Sequence, residues 1–150
     1  DTLAVAANLL GGFAVQRVGQ PDFTVDTLTG IENLRGGAGD DFLLGDNNAN
    51  RLEGLGGGDN LWGFGGNDTL IGGEGNDIIV GGDDADSLES GLGQDWLYGQ
   101  GGADTLLATD ATANAFNVLV GGDGNDTLIG GPTGFDYFYG GDGATGGGND

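Results

Sequence analysis

The chain contains no cysteine, no histidine and no lysine, and its only basic residues are Arg17, Arg35 and Arg51. Without cysteine there are no disulfides and no thiolate metal sites; without histidine there is no imidazole to ligate a metal or relay a proton. The only serines are Ser87 and Ser90, so nucleophiles for covalent catalysis are scarce. No apolar run reaches the length of a transmembrane helix, and no signal-peptide pattern is present. Acid and glycine are in excess. Twenty-four Asp and Glu against three Arg give a formal charge of −21, which makes nucleic acid and anionic membrane surfaces poor partners and cations good ones. There are 37 glycines but only two prolines in 150 residues. That composition reads as disorder in a single domain-sized chain unless a period orders it.

A period is present. Gly72-Gly73-Glu74-Gly75-Asn76-Asp77-Ile78-Ile79-Val80 fits the nine-residue pattern GGxGxDxUx, where U is bulky and apolar, and Gly36 to Leu44 and Gly121 to Ile129 fit it as fully. From Gly36 to Leu107 the phase never slips. Position six is Asp41, Asn50, Asp59, Asp68, Asp77, Asp86, Asp95 and Asp104, and position eight is Leu43, Leu52, Leu61, Leu70, Ile79, Leu88, Leu97 and Leu106. Residues 108–120 form one longer unit that ends in Asn117-Val118-Leu119-Val120 and restores the phase. Asp126 with Leu128, then Asp136 with Phe138, continue it, and in the last unit Thr145 stands where Asp is expected. Ahead of the array, residues 1–35 are off the period. There Asp1-Thr2-Leu3-Ala4 and Asp26-Thr27-Leu28-Thr29 echo half a repeat, while Phe13–Val18 and Phe23–Val25 read as short strands. This segment is expected to cover the first rung of a stack.

Each half of the repeat has a physical task. The GGxGx segment needs positive φ and close backbone approach, which glycine supplies without steric cost. The three residues around U make a very short strand, with U inward and its neighbours outward. Two units, about eighteen residues, close one flattened turn, and turns stack at the strand spacing of about 4.8 Å. The inward leucine ladder is then the core, so the array folds as a whole or not at all. The fold class expected is all-β, a parallel β-solenoid of two short-stranded sheets.

Stacking also sets carboxylate over carboxylate. Asp41, Asp59, Asp77 and Asp95 form one column, and Asn50, Asp68, Asp86 and Asp104 the other. Unneutralised carboxylates at rung spacing repel by a few kcal/mol even at an effective dielectric of about 20. A cation between rungs turns that repulsion into coordination. Carboxylate and carbonyl oxygens select a hard ion, and a flexible, carbonyl-rich loop suits calcium better than magnesium. Two carboxylates per ion predict weak sites, with Kd on the order of 10⁻⁴ to 10⁻³ M, suited to extracellular fluid. The competing expectation is that the Asp side chains only cap turns.

The repeats resemble the RTX family, the haemolysin-type calcium-binding repeats of secreted Gram-negative bacterial proteins, over residues 36–143. The resemblance implies a right-handed parallel β-roll with each ion between loops of successive turns on one edge. Carried over, Asp41 with Asp59, Asp59 with Asp77, and Asp77 with Asp95 clamp ions on one edge. Asp68 with Asp86, Asp86 with Asp104, and Asp104 with Asp126 do so on the other. Asp136 extends the set, while Asn50 and Asn117 offer an oxygen without the charge. Carbonyl ligands are implied from Gly36, Gly37, Ala38 and Gly39, from Gly54 and Gly56, from Gly72, Gly73, Glu74 and Gly75, and from Gly121, Gly122, Asp123 and Gly124. About six to eight Ca2+ ions are expected to supply the folding free energy. Family members leave the cell unfolded by type I secretion, which places the chain as secreted or on the cell surface.

The outward positions divide by sheet. One face carries Phe42, Leu44, Asn60, Trp62, Ile78, Val80, Trp96, Tyr98, Val118, Val120, Tyr137 and Tyr139, apolar or aromatic at all but Asn60; the other is mixed and polar. A stripe of several hundred Å² marks an interface, here expected with another domain of the parent or with a second copy. The chain begins without Met and ends inside a further repeat, so it is expected to be a piece of a larger protein. Three readings follow. The first is a non-catalytic calcium-folded module serving secretion and stability; the second is a structural or adhesive surface protein assembling through the apolar face; the third is the tail of a secreted hydrolase or epimerase.

Overall fold

The computed structural model describes residues 5–8, 13–17, 26–27, 31–110 and 115–141, with backbone course alone before residue 31. The expectations on residues 1–4, 23–25 and 145 lie outside the described residues. In chain order the strands are β1 (Val5–Asn8), β2 (Phe13–Arg17), β3 (Asp26–Thr27), β4 (Asn33–Arg35), β5 (Phe42–Leu44), β6 (Arg51–Gly56), β7 (Asn60–Gly65) and β8 (Thr69–Glu74). There follow β9 (Ile78–Asp83), β10 (Ser87–Leu92), β11 (Trp96–Gly102), β12 (Thr105–Leu107), β13 (Phe116–Gly124), β14 (Thr127–Ile129) and β15 (Phe135–Tyr139).

Alternation of units between two sheets is visible in the strand order. One nine-stranded sheet runs β15-β13-β11-β9-β7-β5-β1-β2-β3, and a six-stranded sheet runs β14-β12-β10-β8-β6-β4. From β4 onward every pairing is parallel and joins strands two apart in the chain, which makes the chain a parallel β-solenoid with two units per turn. The register is eighteen residues in the regular part, as in Leu43↔Leu61 and Leu61↔Ile79. It steps to twenty-two at Trp96↔Val118 and Thr105↔Thr127, where the long unit is absorbed. Before the array, β1 pairs parallel with β5 and antiparallel with β2, and β2 pairs antiparallel with β3.

The core is the position-eight ladder. Leu43, Leu52, Leu61, Leu70, Ile79, Leu97, Leu106 and Leu119 are 0% exposed, and Leu88 1%. Each fully buried aliphatic side chain contributes about 1.5–3 kcal/mol of transfer free energy, which no single unit could gather alone. Leu34 joins this core, and β4 already pairs with β6 in the eighteen-residue register. At the far end Phe138 occupies the inward position yet is half exposed, since no further described turn stacks on it.

The strands are longer than the three residues expected. Interior ones reach six because the glycine loops stack in register too, as in Leu55↔Gly73 and Gly56↔Glu74. Identical loops repeating at strand spacing can continue the ladder, provided their backbone accepts positive φ. Gly73 does so at φ 121, where an added Cβ would lie 2.2 Å from the Leu55 carbonyl oxygen.

Candidate metal centre

Position six is where the stack concentrates charge. Asp59, Asp68, Asp77, Asp86, Asp95, Asp104 and Asp126 are each at most 3% exposed. In each case Oδ1 accepts the position-six N–H of the preceding turn. Along one edge Asp41 N–H donates to Asp59 at 2.7 Å, Asp59 N–H to Asp77 at 2.8 Å and Asp77 N–H to Asp95 at 2.9 Å. Along the other, Asn50 N–H donates to Asp68 at 2.7 Å, Asp68 N–H to Asp86 and Asp86 N–H to Asp104 at 2.8 Å, and Asp104 N–H to Asp126 at 3.0 Å. One oxygen of each carboxylate therefore holds two turns together.

The other oxygen is left bare. Oδ2 of all seven residues is buried with no hydrogen-bond partner. A buried carboxylate oxygen without a donor is a costly arrangement in a low-dielectric site. Six of these oxygens lie beside a position-one glycine, and the unit of Asp95 has Ser90 in that place. A Cβ built on Gly54 would meet Asp59 Oδ2 at 2.1 Å and the Gly72 carbonyl at 2.6 Å; on Gly63, Asp68 Oδ2 at 2.1 Å and the Gly81 carbonyl at 2.6 Å. Gly72 and Gly99 repeat the arrangement. Each cradle thus pairs a carboxylate oxygen of one turn with a carbonyl oxygen of the next.

The electrostatics point the same way. Burial, partly offset by the backbone N–H bond, pushes Asp59, Asp68 and Asp104 up to about 6 and Asp77 and Asp86 up to about 7. Neighbouring carboxylates add to the rise: Asp95 and Asp59 for Asp77, and Asp68, Asp104 and Asp84 for Asp86. Burial also raises Asp95. Among the described residues no group of three or more Asp, Glu, His or Cys converges on one point. Carboxylate and carbonyl oxygens are the donors that the cradles offer. These all-oxygen donors fit a hard divalent cation, and Ca2+ in particular tolerates such irregular, carbonyl-rich coordination.

Three position-six residues behave differently. Asp41 Oδ2 takes its own loop's Gly37 N–H at 2.5 Å, Asn50 Oδ1 takes the Asp46 N–H at 2.7 Å, and Asp136 Oδ2 takes the Gly131 N–H at 2.7 Å. Turn capping is thus seen at Asp41, Asn50 and Asp136, while the seven other carboxylates, Asp126 at the far end of its described column included, keep a bare oxygen. Of the loop residues, Gly37 and Leu55 pair with neighbouring turns, and Gly57 N–H donates to the Glu74 carbonyl at 2.8 Å. Ala38, Gly39, Gly56 and Gly75 lie in the stacked loops of one edge, and Gly121, Gly122, Asp123 and Gly124 in β13, where Gly122 and Asp123 pair with Gln100 and Gly101.

Two features escape the nine-residue reading. Position-five side chains add bonds between turns on both edges: Asp40 Oδ1 accepts Gly58 N–H at 2.8 Å, Asn76 Oδ1 accepts Gln94 N–H at 2.9 Å, and Asn67 Oδ1 accepts Ala85 N–H at 3.2 Å. Asp and Asn at that position were the available signal. Glu32 also stands nine residues before Asp41, with Leu34 two places on, and its carbonyl accepts Arg51 N–H at 2.7 Å.

On the outer face of the larger sheet, Phe42, Trp62, Ile78 and Trp96 are 37–45% exposed, and Tyr137 and Tyr139 more so. Val80 is 5% exposed because it lies in register between Trp62 and Tyr98. Leu44, Tyr98, Val118 and Val120 are half-buried.

A stacked parallel solenoid with hard-cation cradles at its edges defines a metal-binding β-roll. The profile of the RTX calcium-binding nonapeptide repeat matches residues 26–61, 44–79, 62–97, 80–110 and 113–132, and the chain belongs to that family. It is a calcium-binding repeat module. No curated protein and no solved structure matches the chain.

Proposed function

We propose that this module folds on binding about six to eight Ca2+ ions outside the cell, and in doing so supports the secretion and stability of a larger secreted or surface protein. The observation that carries the reading is the set of seven buried Asp Oδ2 atoms with no hydrogen-bond donor. Asp59, Asp68, Asp77, Asp86, Asp95, Asp104 and Asp126 would hold the ions together with loop carbonyls such as those of Gly72 and Gly121. When bound, calcium supplies charge neutralisation between turns. The chain itself supplies the stacked oxygens, the glycine clearance beside them and the apolar ladder that makes the response cooperative. In low calcium the same carboxylates oppose folding, which suits export of an unfolded chain. Far-UV circular dichroism during a calcium titration, with magnesium as control, tests the reading. A cooperative gain of strand between about 0.1 mM and a few mM supports it; a chain folded in chelator and indifferent to calcium refutes it.

A second reading, assembly through the apolar face with another domain or copy, is favoured by Phe64. It holds φ 80, a conformation costly for a bulky side chain, and stays exposed with its ring 6.4 Å from that of Trp62. Strand propensity does not explain an aromatic at a left-handed position. Trp62→Ser with Trp96→Ser is expected to leave calcium-driven folding intact and to abolish association on size-exclusion chromatography in calcium. Unchanged association would refute this reading.

A further inference from the structure

The two edges of the roll part company at the long unit. On the edge of Asp104 the twenty-two-residue step is made like any other: Asp104 N–H reaches Asp126 Oδ1, and the Gly99 cradle keeps Asp104 Oδ2 and the Gly121 carbonyl, 2.3 and 2.5 Å from where a Cβ would lie. On the edge of Asp95 the cradle positions are occupied by protein. Position one is Ser90 in one unit and Ala108 in the next, both buried, so each carries a Cβ where the other interior units leave glycine clearance.

Side chains then replace the loop-to-loop contacts. In the regular loops a position-four N–H donates to the position-three carbonyl of the next turn, as Gly75 does to Leu92 at 2.7 Å. At Gly93 the acceptor is instead the Asp110 carboxylate, at 3.0 Å, and Asp110 is 0% exposed. Gly91 N–H donates to Thr109 Oγ1 at 3.1 Å, and Thr109 N–H donates to Ser90 Oγ at 3.2 Å.

One turn further, Asn117 Oδ1 takes the Asp95 N–H at 3.0 Å while its Nδ2 donates to Asp136 Oδ1 at 3.1 Å. The reversed amide would set donor against donor and oxygen against oxygen, so the network fixes this orientation. Where the regular column presents a bare oxygen, Asn117 presents an N–H. Asp136, with its other oxygen on Gly131 N–H at 2.7 Å, has a donor on each side.

We infer that this edge carries an ion-free seam from Ser90 to Asp136, in which hydrogen-bond donors of Asn117, Thr109 and the loop backbone replace calcium, so that the array binds ions on both edges up to Asp95 and on one edge alone beyond it. The inference rests on the calcium reading above. The thirteen-residue unit gives the physical reason: it is four residues longer than its neighbours, and the Thr109, Asp110 and Asn117 side chains make contacts where an ion would need matched carbonyls.

Counting bound calcium by native mass spectrometry tests the seam. Ser90→Gly with Asn117→Asp restores a glycine cradle and a carboxylate, and is expected to bind at least one ion more than the parent. Asp136→Asn, which keeps the side-chain shape, is expected to leave the count unchanged, whereas Asp104→Asn on the other edge lowers it. A calcium-loaded parent that loses an ion with Asp136→Asn, or whose count does not rise in the folded double variant, overturns the seam alone. A parent that binds no calcium overturns the calcium reading and the seam with it. If the double variant does not fold, Asp136→Asn still decides.

Discussion

Acidification should move the metal-free and calcium-loaded proteins in opposite directions. An acid with a higher pKa in the folded chain than in the unfolded one holds its proton more tightly when folded. Its stabilising contribution is full below the unfolded value of about 3.8 and is lost as pH rises through the folded value of about 6 for Asp59, Asp68 and Asp104 or about 7 for Asp77 and Asp86. At face value, ionising these five groups inside the metal-free fold at neutral pH costs on the order of 15 kcal/mol. Water reaching the loops and local relaxation reduce that about threefold, to roughly 5 kcal/mol, still comparable to the whole stability of an ordinary domain. Metal-free protein is therefore expected to lack strand structure at pH 7.5 and to gain it as pH falls from about 7 towards 4. In saturating calcium the same carboxylates are ligands, protons compete with the ion, and stability falls over that range. Circular dichroism and Trp62 and Trp96 fluorescence in calcium-depleted and calcium-saturated buffers read both arms. Metal-free protein with the same strand signal at pH 5 and pH 7.5 would refute the reasoning, because the bare carboxylates would then carry no penalty.

Four substitutions, one of them a control, probe the parts separately. Gly72→Ala places a Cβ 2.2 Å from Asp77 Oδ2 and 2.4 Å from the Ser90 carbonyl, so it should lower stability by about 1–3 kcal/mol and raise the calcium midpoint. Gly65→Ala, with nothing nearer than 3.7 Å, is the matched control in the same calcium-dependent melts. Leu61→Ala removes a fully buried rung between Leu43 and Ile79; a loss of about 2–5 kcal/mol is expected, read as a higher calcium requirement for the whole array. Leu55→Gly relieves a side chain held at φ 85. The left-handed penalty of about 1–2 kcal/mol exceeds the added chain entropy of about 0.5–1 kcal/mol, so Tm in calcium should rise slightly.

The nine-residue phase of Asp41 to Asp104 and Leu43 to Leu106 already determines a parallel solenoid. A strict period allows each unit only one way to bury its apolar residue, which is against the same residue of the next turn. The acidic columns and the choice of a hard cation follow from that stacking and from the absence of His and Cys. Which carboxylates keep a bare oxygen was decided in three dimensions. Asp41, Asn50 and Asp136 match the repeat as the interior residues do, yet they bond their own loops. The next turn still offers its carbonyl at Asp41 and Asn50, those of Gly54 and Gly63, so what differs is a loop N–H turned onto the side-chain oxygen, and that is not written in the nonapeptide. Glu32 and Leu34, by contrast, stand nine residues before Asp41 and Leu43, and the register with Arg51 and Leu52 carries that phase into the stack. The seam at Ser90, Thr109, Asp110 and Asn117 is also tertiary, because its partners lie a full turn apart across an irregular unit. Sequence period set what repeats; the contacts between unequal turns set where the repetition stops.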